Sequence, residues 1–312
     1  MGSGEIGLPT LQWLAESSAT ILVGVVTQPD KPAGRSQILA PPAPAKLAAA
    51  LGLPILQPPK LRKTEELDRI VALAPDLIVV MAYGQILPKR LLETPTLACL
   101  NLHASILPRH RGAAPIQASI LAGDRSTGLT VMYMSEGLDT GDILLTRSTA
   151  IRRRETAGSL HDRLATLGPE ALAAAFELIL SDQAPRIPQD ESKATYAAKL
   201  ERESGRIDWS QDCWHLDRLI RAMNPWPGAF TLVQAADHSV KKLKVHRALP
   251  IRRGSGQAGV INGIWNRGLL VGCGRGALLL LEVQLEGKRR MSTVEFLRGF
   301  ALPVGMALGL SS

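Results

Sequence analysis

Asn101 and His103 stand two apart near the end of a short apolar run, Ala98–Leu102, bounded by Pro95 and Pro108. Such a run reads as a buried strand of a parallel sheet. Residues i and i+2 of a strand share a face, so an amide and an imidazole can point into one pocket. In open α/β sheets that pocket lies at the carboxyl edge. Asp139 follows in the turn-forming run Gly137-Leu-Asp-Thr-Gly-Asp142, behind a second apolar segment, Leu129–Met134. Delivered by separate strand ends, the three groups suit acyl transfer. Asn101 and His103 would donate to the oxyanion of a tetrahedral intermediate. Asp139 would hold the imidazole and help place water for a proton transfer. The same residue types have structural uses, and an Asp flanked by Gly is commonly a turn residue.

Other chemistries leave weaker marks. Gly2-Ser-Gly4-Glu-Ile-Gly7 matches the dinucleotide fingerprint, with Asp30 at about the distance of a ribose-binding acid. That fingerprint needs a preceding strand, and Met1 abuts it. Cys99, Cys213 and Cys273 are widely spaced, with no Cys-x-x-Cys pair and no clustered histidines. Neither a disulfide framework nor a bound metal is expected, and a reducing cytoplasm fits.

The elements that would position these residues alternate. Helical patterns cover Pro9–Ser17, Ala43–Ala50, residues 64–73 with Thr64 as N-cap, Ala113–Leu121, and Thr156–Leu180, the last interrupted near Gly168-Pro169. Strand patterns cover Ile21–Thr27, Leu53–Gln57, Asp76–Ala82 and Ala98–Leu102. This is the pattern of a mostly parallel, Rossmann-like sheet with helices on both faces. Residues 182–199 are polar and hold Pro185 and Pro188, as a linker does. Beyond them Leu216, Leu219, Ile220 and Met223 repeat at helical spacing, and Asn224-Pro-Trp-Pro-Gly228 ends that helix. Five short β-type runs between Phe230 and Val283, separated by glycine-rich turns, predict a small OB-like antiparallel barrel.

Composition sets the bounds. The chain has 312 residues, 46% of them hydrophobic, which is enough for two domains with their own cores. No apolar run reaches about 18 residues, so no membrane partner is expected, and no secretory signal is visible. The net charge of +8 is uneven: residues 1–200 hold 20 Lys/Arg against 19 Asp/Glu, while residues 201–312 hold 16 against 9. The C-terminal part is therefore suited to meet a polyanion. Lys241, Lys242 and Lys244, with Lys288-Arg-Arg290, are its clusters.

The run Asn101-Leu-His-Ala-Ser-Ile-Leu-Pro-Arg-His-Arg-Gly-Ala-Ala-Pro-Ile-Gln117, followed by Gly137-Leu-Asp-Thr-Gly-Asp-Ile143, resembles the folate-dependent formyltransferases, and among them the branch acting on methionyl-tRNA. The resemblance extends from about Gly2 to the C-terminus. It implies that Asn101, His103 and Asp139 are catalytic. The formyl donor it implies is 10-formyltetrahydrofolate as cosubstrate, and the acceptor is initiator methionyl-tRNA. By the same resemblance the turn Tyr83, Gly84, Gln85, Ile86 lines the pterin pocket, and Ser105, Ile106, Leu107, Pro108 border the folate site. Arg35, in the loop Pro32-Ala-Gly-Arg35, matches an arginine that meets the acceptor stem. Arg109 and Arg111 are read either as solvated charge or as holding a folate tail or a tRNA end. Residues 1–188 are then the catalytic domain, 189–203 a linker and 204–312 the tRNA-binding domain, in a monomer. Against this family the chain reads as beginning one strand late, with the missing strand internal to the sheet. Three alternatives stay open: a relative acting on an amino sugar or purine precursor, an oxidoreductase built on Gly2, Gly4 and Gly7, and a non-catalytic RNA-binding protein.

Overall fold

The computed structural model describes residues 1–33, 37–235, 237–253 and 256–309. Strands follow the chain as β1 (Val25–Val26), β2 (Lys31–Ala33), β3 (Ile38–Ala40), β4 (Ile55–Leu56), β5 (Leu77–Val80), β6 (Ala98–His103), β7 (Arg111–Gly112), β8 (Ser126–Tyr133), β9 (Ile143–Ala150) and β10 (Tyr196–Ala197). They continue as β11 (Ala229–Gln234), β12 (Val240–Ile251), β13 (Ile261–Trp265), β14 (Gly268–Gly272), β15 (Ala277–Leu285) and β16 (Met291–Ser292). The helices are α1 (Leu8–Glu16), α2 (Ala43–Ala50), α3 (Thr64–Val71), α4 (Lys89–Leu92), α5 (Pro115–Ala122), α6 (Ala157–Leu180), α7 (Cys213–Ala222) and α8 (Thr293–Leu297). Two compact units form. One holds residues 1–115, 126–150 and 160–198, and the other holds 116–125, 151–159 and 199–312. Residues 189–198, expected in the linker, thus belong to the first unit.

In the first unit β1 pairs with β4, and β5 with β6, both in parallel. Between these pairs lie residues 1–2: Gly2 donates to the Val26 carbonyl at 2.9 Å, and Met81 donates to the Met1 carbonyl at 3.0 Å. Residues 1–2 thus enter the sheet between β1 and β5. On the other side β8 runs antiparallel to both β6 and β9. The sheet is parallel through its centre and antiparallel at this edge. All six residues of β6 are buried. Its Cys99 joins Ile78, Val80, Tyr83, Leu87 and Leu91 in the apolar core.

Two helical details differ from expectation. Lys63, not Thr64, occupies the cap position of α3, and no side chain caps that end. Helix α6 runs unbroken through Pro169. A Cβ at Gly168 would fall 2.2 Å from Thr10 Oγ1, so the bare backbone there sits hard against α1. Leu160, Leu164 and Leu172 are fully buried along the same helix. Packing of this kind outweighs one lost helical hydrogen bond.

The second unit is an antiparallel half-barrel sheet in the order β11-β12-β15-β14-β13, with β16 added to β15. Helix α7 lies on β12, and its Leu216, Leu219, Ile220 and the following Met223 are buried, as their spacing predicts. Among the described residues no helix is long and apolar enough to cross a membrane.

Candidate active site

Strand β6 carries two polar side chains on an otherwise apolar strand, and both are buried: Asn101 is 8% exposed and His103 6%. They point to the same face as Cys99, at the end where its apolar cover stops. Buried polar groups need partners. Here the partner is one carboxylate. Asn101 Nδ2 donates to Asp139 Oδ1 at 3.2 Å. The Gly112 amide donates to Asp139 Oδ2 at 2.8 Å. His103 Nδ1 lies 3.5 Å from the same Oδ2. The other ring nitrogen, His103 Nε2, donates to the His110 carbonyl at 2.9 Å.

Asp139 arrives by a route the sequence did not indicate. Because β8 runs antiparallel to β6, with Tyr133 opposite Leu100, its end lies away from the carboxyl edge. Met134 still bonds to the Cys99 carbonyl. The chain must then fold back along β6 to reach Asn101 and His103. Asp139 makes the return in the left-handed region, at φ +53°, which Asp tolerates better than most residues. The loop is drawn tight by Gly137 and Gly141, where a Cβ would fall 2.2 Å from Thr140 Oγ1 and 1.8 Å from the Tyr133 carbonyl oxygen.

The expected folate turn follows β5, and Val80 is opposite Asn101, so the turn emerges at the same carboxyl edge. Its side chains are mostly committed elsewhere. The Tyr83 ring is core, its hydroxyl has no partner among the described residues, and burial pushes its pKa up to about 12. Gln85 bonds the backbone of Leu61 and Pro58. Gly84, at φ +79°, leaves room for Gln28, which donates to the Tyr83 carbonyl at 2.9 Å. The Ile86 side chain is well exposed, at 67%. Across the edge, Ser105 Oγ donates to the Arg109 carbonyl at 2.6 Å, and Thr130 Oγ1 bridges the Ser105 carbonyl and the Leu107 amide. The Leu107–Pro108 peptide is cis, and Ile106 stays half-buried.

Arg111 is neither solvated nor directed at a ligand. It is completely buried. Its guanidinium meets Gln189 Oε1 at 2.8 and 3.0 Å and both oxygens of Glu191 at 2.7 and 2.8 Å. No local signal showed this, because the partners lie 78 and 80 residues away.

On the second unit, β12 turns Lys242 and Lys244 to one side and Leu243 and Val245 to the buried side. Lys242 Nζ sits 3.7 Å from the Phe230 ring centroid and 3.7 Å from Glu203. Lys244 Nζ donates to the Pro227 carbonyl at 3.4 Å. Lys241 is half-buried and, by the same alternation, falls on the side of Leu243 and Val245. Arg290 is spent on Glu282. Arg35 lies outside the described residues.

Residues 8–176 match the formyl transferase family model, and residues 199–301 match the model of the formyl transferase C-terminal domain. A methionyl-tRNA formyltransferase of Geobacter sulfurreducens is 45% identical over 309 residues, covering 99% of this chain and 95% of that protein. One from Methylacidiphilum infernorum is 43% identical over 310 residues, covering 99% and 97%. The chain belongs to the methionyl-tRNA formyltransferase family. Solved structures share its fold. The sugar 3N-formyl transferase WlaRD superposes with a TM-score of 0.66 at 17% identity, covering 92% of this chain and 97% of that one. HypX of Aquifex aeolicus, solved with tetrahydrofolic acid, gives 0.56 at 21% identity, over 81% of this chain and 44% of its own. For a formyl-transferring enzyme, a buried amide and a buried imidazole that both meet one half-buried carboxylate form a suitable centre. The dinucleotide fingerprint is used differently: Ser3 and Gly4 both bond the Ala82 carbonyl, and Ser3 Oγ accepts from the Gln28 amide.

Proposed function

We propose that the chain transfers the formyl group of 10-formyltetrahydrofolate to the α-amino group of methionine on initiator tRNA, through Asn101, His103 and Asp139. The observation that carries this reading is the Asp139 carboxylate gathering the buried Asn101 and His103 and the Gly112 amide into one cluster. The amine nitrogen attacks the formyl carbon, a C–N bond forms, and the carbonyl electrons move onto oxygen. Asn101 has two amide hydrogens and gives one to Asp139, which leaves the other for the oxyanion. His103 and Asp139 take the proton from the attacking nitrogen, directly or through a water. The carbonyl re-forms, the bond to N10 of the folate breaks, and N10 takes up a proton.

The turn at Tyr83, Gly84, Gln85 and Ile86 would hold the pterin with its backbone, since its side chains are engaged, and Ser105, Ile106, Leu107 and Pro108 would border the folate from β6. The first unit is then the catalytic body. The second, with Lys241, Lys242 and Lys244 and its surplus of positive charge, holds the tRNA through phosphates, together with Arg35. Such binding weakens steeply with salt. The protein works as a monomer in the cytoplasm, and light scattering at the 33.5 kDa chain mass checks the first point.

Transfer of radiolabelled formyl to charged initiator tRNA tests the reading. Activity is expected in the chain, with a loss of about 10²–10³ in kcat for Asn101→Ala and a comparable loss for His103→Ala. A folded protein inactive on methionyl-tRNA but active on an amino sugar nucleotide would overturn the acceptor. Full activity in Asn101→Ala would overturn the site.

A further inference from the structure

The segment 189–197 has the composition of a linker, yet it is tied to the loop that carries Asp139. Gln189 Nε2 donates to two carbonyls of that loop, those of Asp139 at 2.9 Å and Gly141 at 2.7 Å. The opposite end of the same amide, Oε1, accepts twice from Arg111. This orientation is the only one the surroundings allow. Reversed, the amide would set its oxygen against two carbonyls and its NH₂ against a guanidinium. Arg111 is held in turn by both oxygens of Glu191. Its backbone is held by pairing of β7 with β10, Arg111 opposite Tyr196. Gly112, next in the chain, donates to the Asp139 carboxylate at 2.8 Å. One carboxylate and its loop are therefore gripped from both sides by a single assembly: Gly112 holds the side chain and Gln189 holds the backbone.

The loop needs such a grip. It turns back on itself through a left-handed Asp139, a conformation that carries a backbone cost for a non-glycine residue. Within the loop the Ser135–Thr140 hydroxyl contact at 2.9 Å is the one other side-chain bond described.

We propose that Gln189, oriented by the buried Arg111, is a positioning residue for the formyl transfer: it sets Asp139 against Asn101 and His103 without touching substrate. The proposal rests on the reading of Asp139 as part of the catalytic centre. A structural tether would change stability alone, whereas a positioning residue acts through Asp139, and a double-mutant comparison separates the two.

The test uses the full chain in the formyl-transfer assay, with thermal midpoints recorded for each variant. Gln189→Glu keeps an acceptor for Arg111 and abolishes both donations to the loop. Gln189→Leu abolishes them without adding charge. Each is expected to lower kcat by about 10- to 10²-fold, the scale of an ångström's displacement of a catalytic group, with KM for folate and for tRNA within about twofold. In an Asp139→Ala background, followed by single turnover, neither variant should lower the rate by more than about twofold further. A wild-type kcat in Gln189→Leu overturns the proposal. So do losses that multiply in the Asp139→Ala background. If Asp139→Ala itself has wild-type kcat, the reading of the centre falls, and the proposal falls with it.

Discussion

Replacing Gly141 by alanine tests how tightly the Asp139 loop is set. A Cβ there would lie 1.8 Å from the Tyr133 carbonyl oxygen, where ordinary contacts begin near 3.4 Å, so one side must retreat by about 1.6 Å. Tyr133 is poorly placed to yield, because it is part of β8, which is hydrogen-bonded to strands on both sides, and stands opposite Leu100. The loop must move, and Asp139 is two residues away. The Gly141 carbonyl also accepts from Gln189, so the same shift weakens that tether. A misplacement of about 1 Å at a catalytic group costs about 10²-fold, and complete loss of a proton shuttle costs about 10²–10⁴. Gly141→Ala should therefore lower kcat by about 10²-fold or more. KM for tRNA should hold, because the second unit is untouched. Gly299→Ala is the control, since its Cβ meets nothing within 4 Å. The assay is steady-state formyl transfer alongside a thermal melt. A folded Gly141→Ala enzyme with kcat within about threefold of wild type would refute the argument that this backbone contact fixes Asp139.

Three further outcomes follow from burial. Tyr83 buries a hydroxyl with no partner among the described residues, so Tyr83→Phe should raise stability by about 1 kcal/mol, read as a higher thermal midpoint; a lower midpoint would contradict it. His246 is half-buried against Gln284 with Arg290 and Lys244 nearby, and desolvation holds its pKa below the ordinary imidazole value. The unfolded chain then binds a proton that the folded one refuses. Stability should drop as pH falls below about 6.5, and His246→Gln should flatten that part of the pH–melting curve. Burial pushes the Cys99 and Cys273 thiols up to about 12 and raises that of Cys213. The native protein should resist a chromogenic disulfide reagent at pH 8 and release all three thiols in denaturant; rapid labelling of one in the native state would show an opening the fold does not contain.

The residue order alone determined the central strand, its two polar side chains and their common face. That information is local: alternation along β6 sets which neighbours share a side, whatever lies around it. The amphipathic face of α7 and the five strands of the half-barrel were legible for the same reason. What the residue order left open were facts of direction and distance. An apolar run does not say whether it will lie parallel or antiparallel to its neighbour, so the reversal of β8, and the fold-back of Asp139 that it requires, belong to the sheet as a whole. Pro169 reads as a helix break until the packing of Gly168 on Thr10 is present to offset it. Arg111 reads either as solvated charge or as a ligand-holding arginine, and Gln189 reads as a linker residue, because nothing near them in sequence names their partners. Only in the folded chain do residues about 80 apart close around one guanidinium, and a buried charge must find its partners at whatever separation the topology supplies.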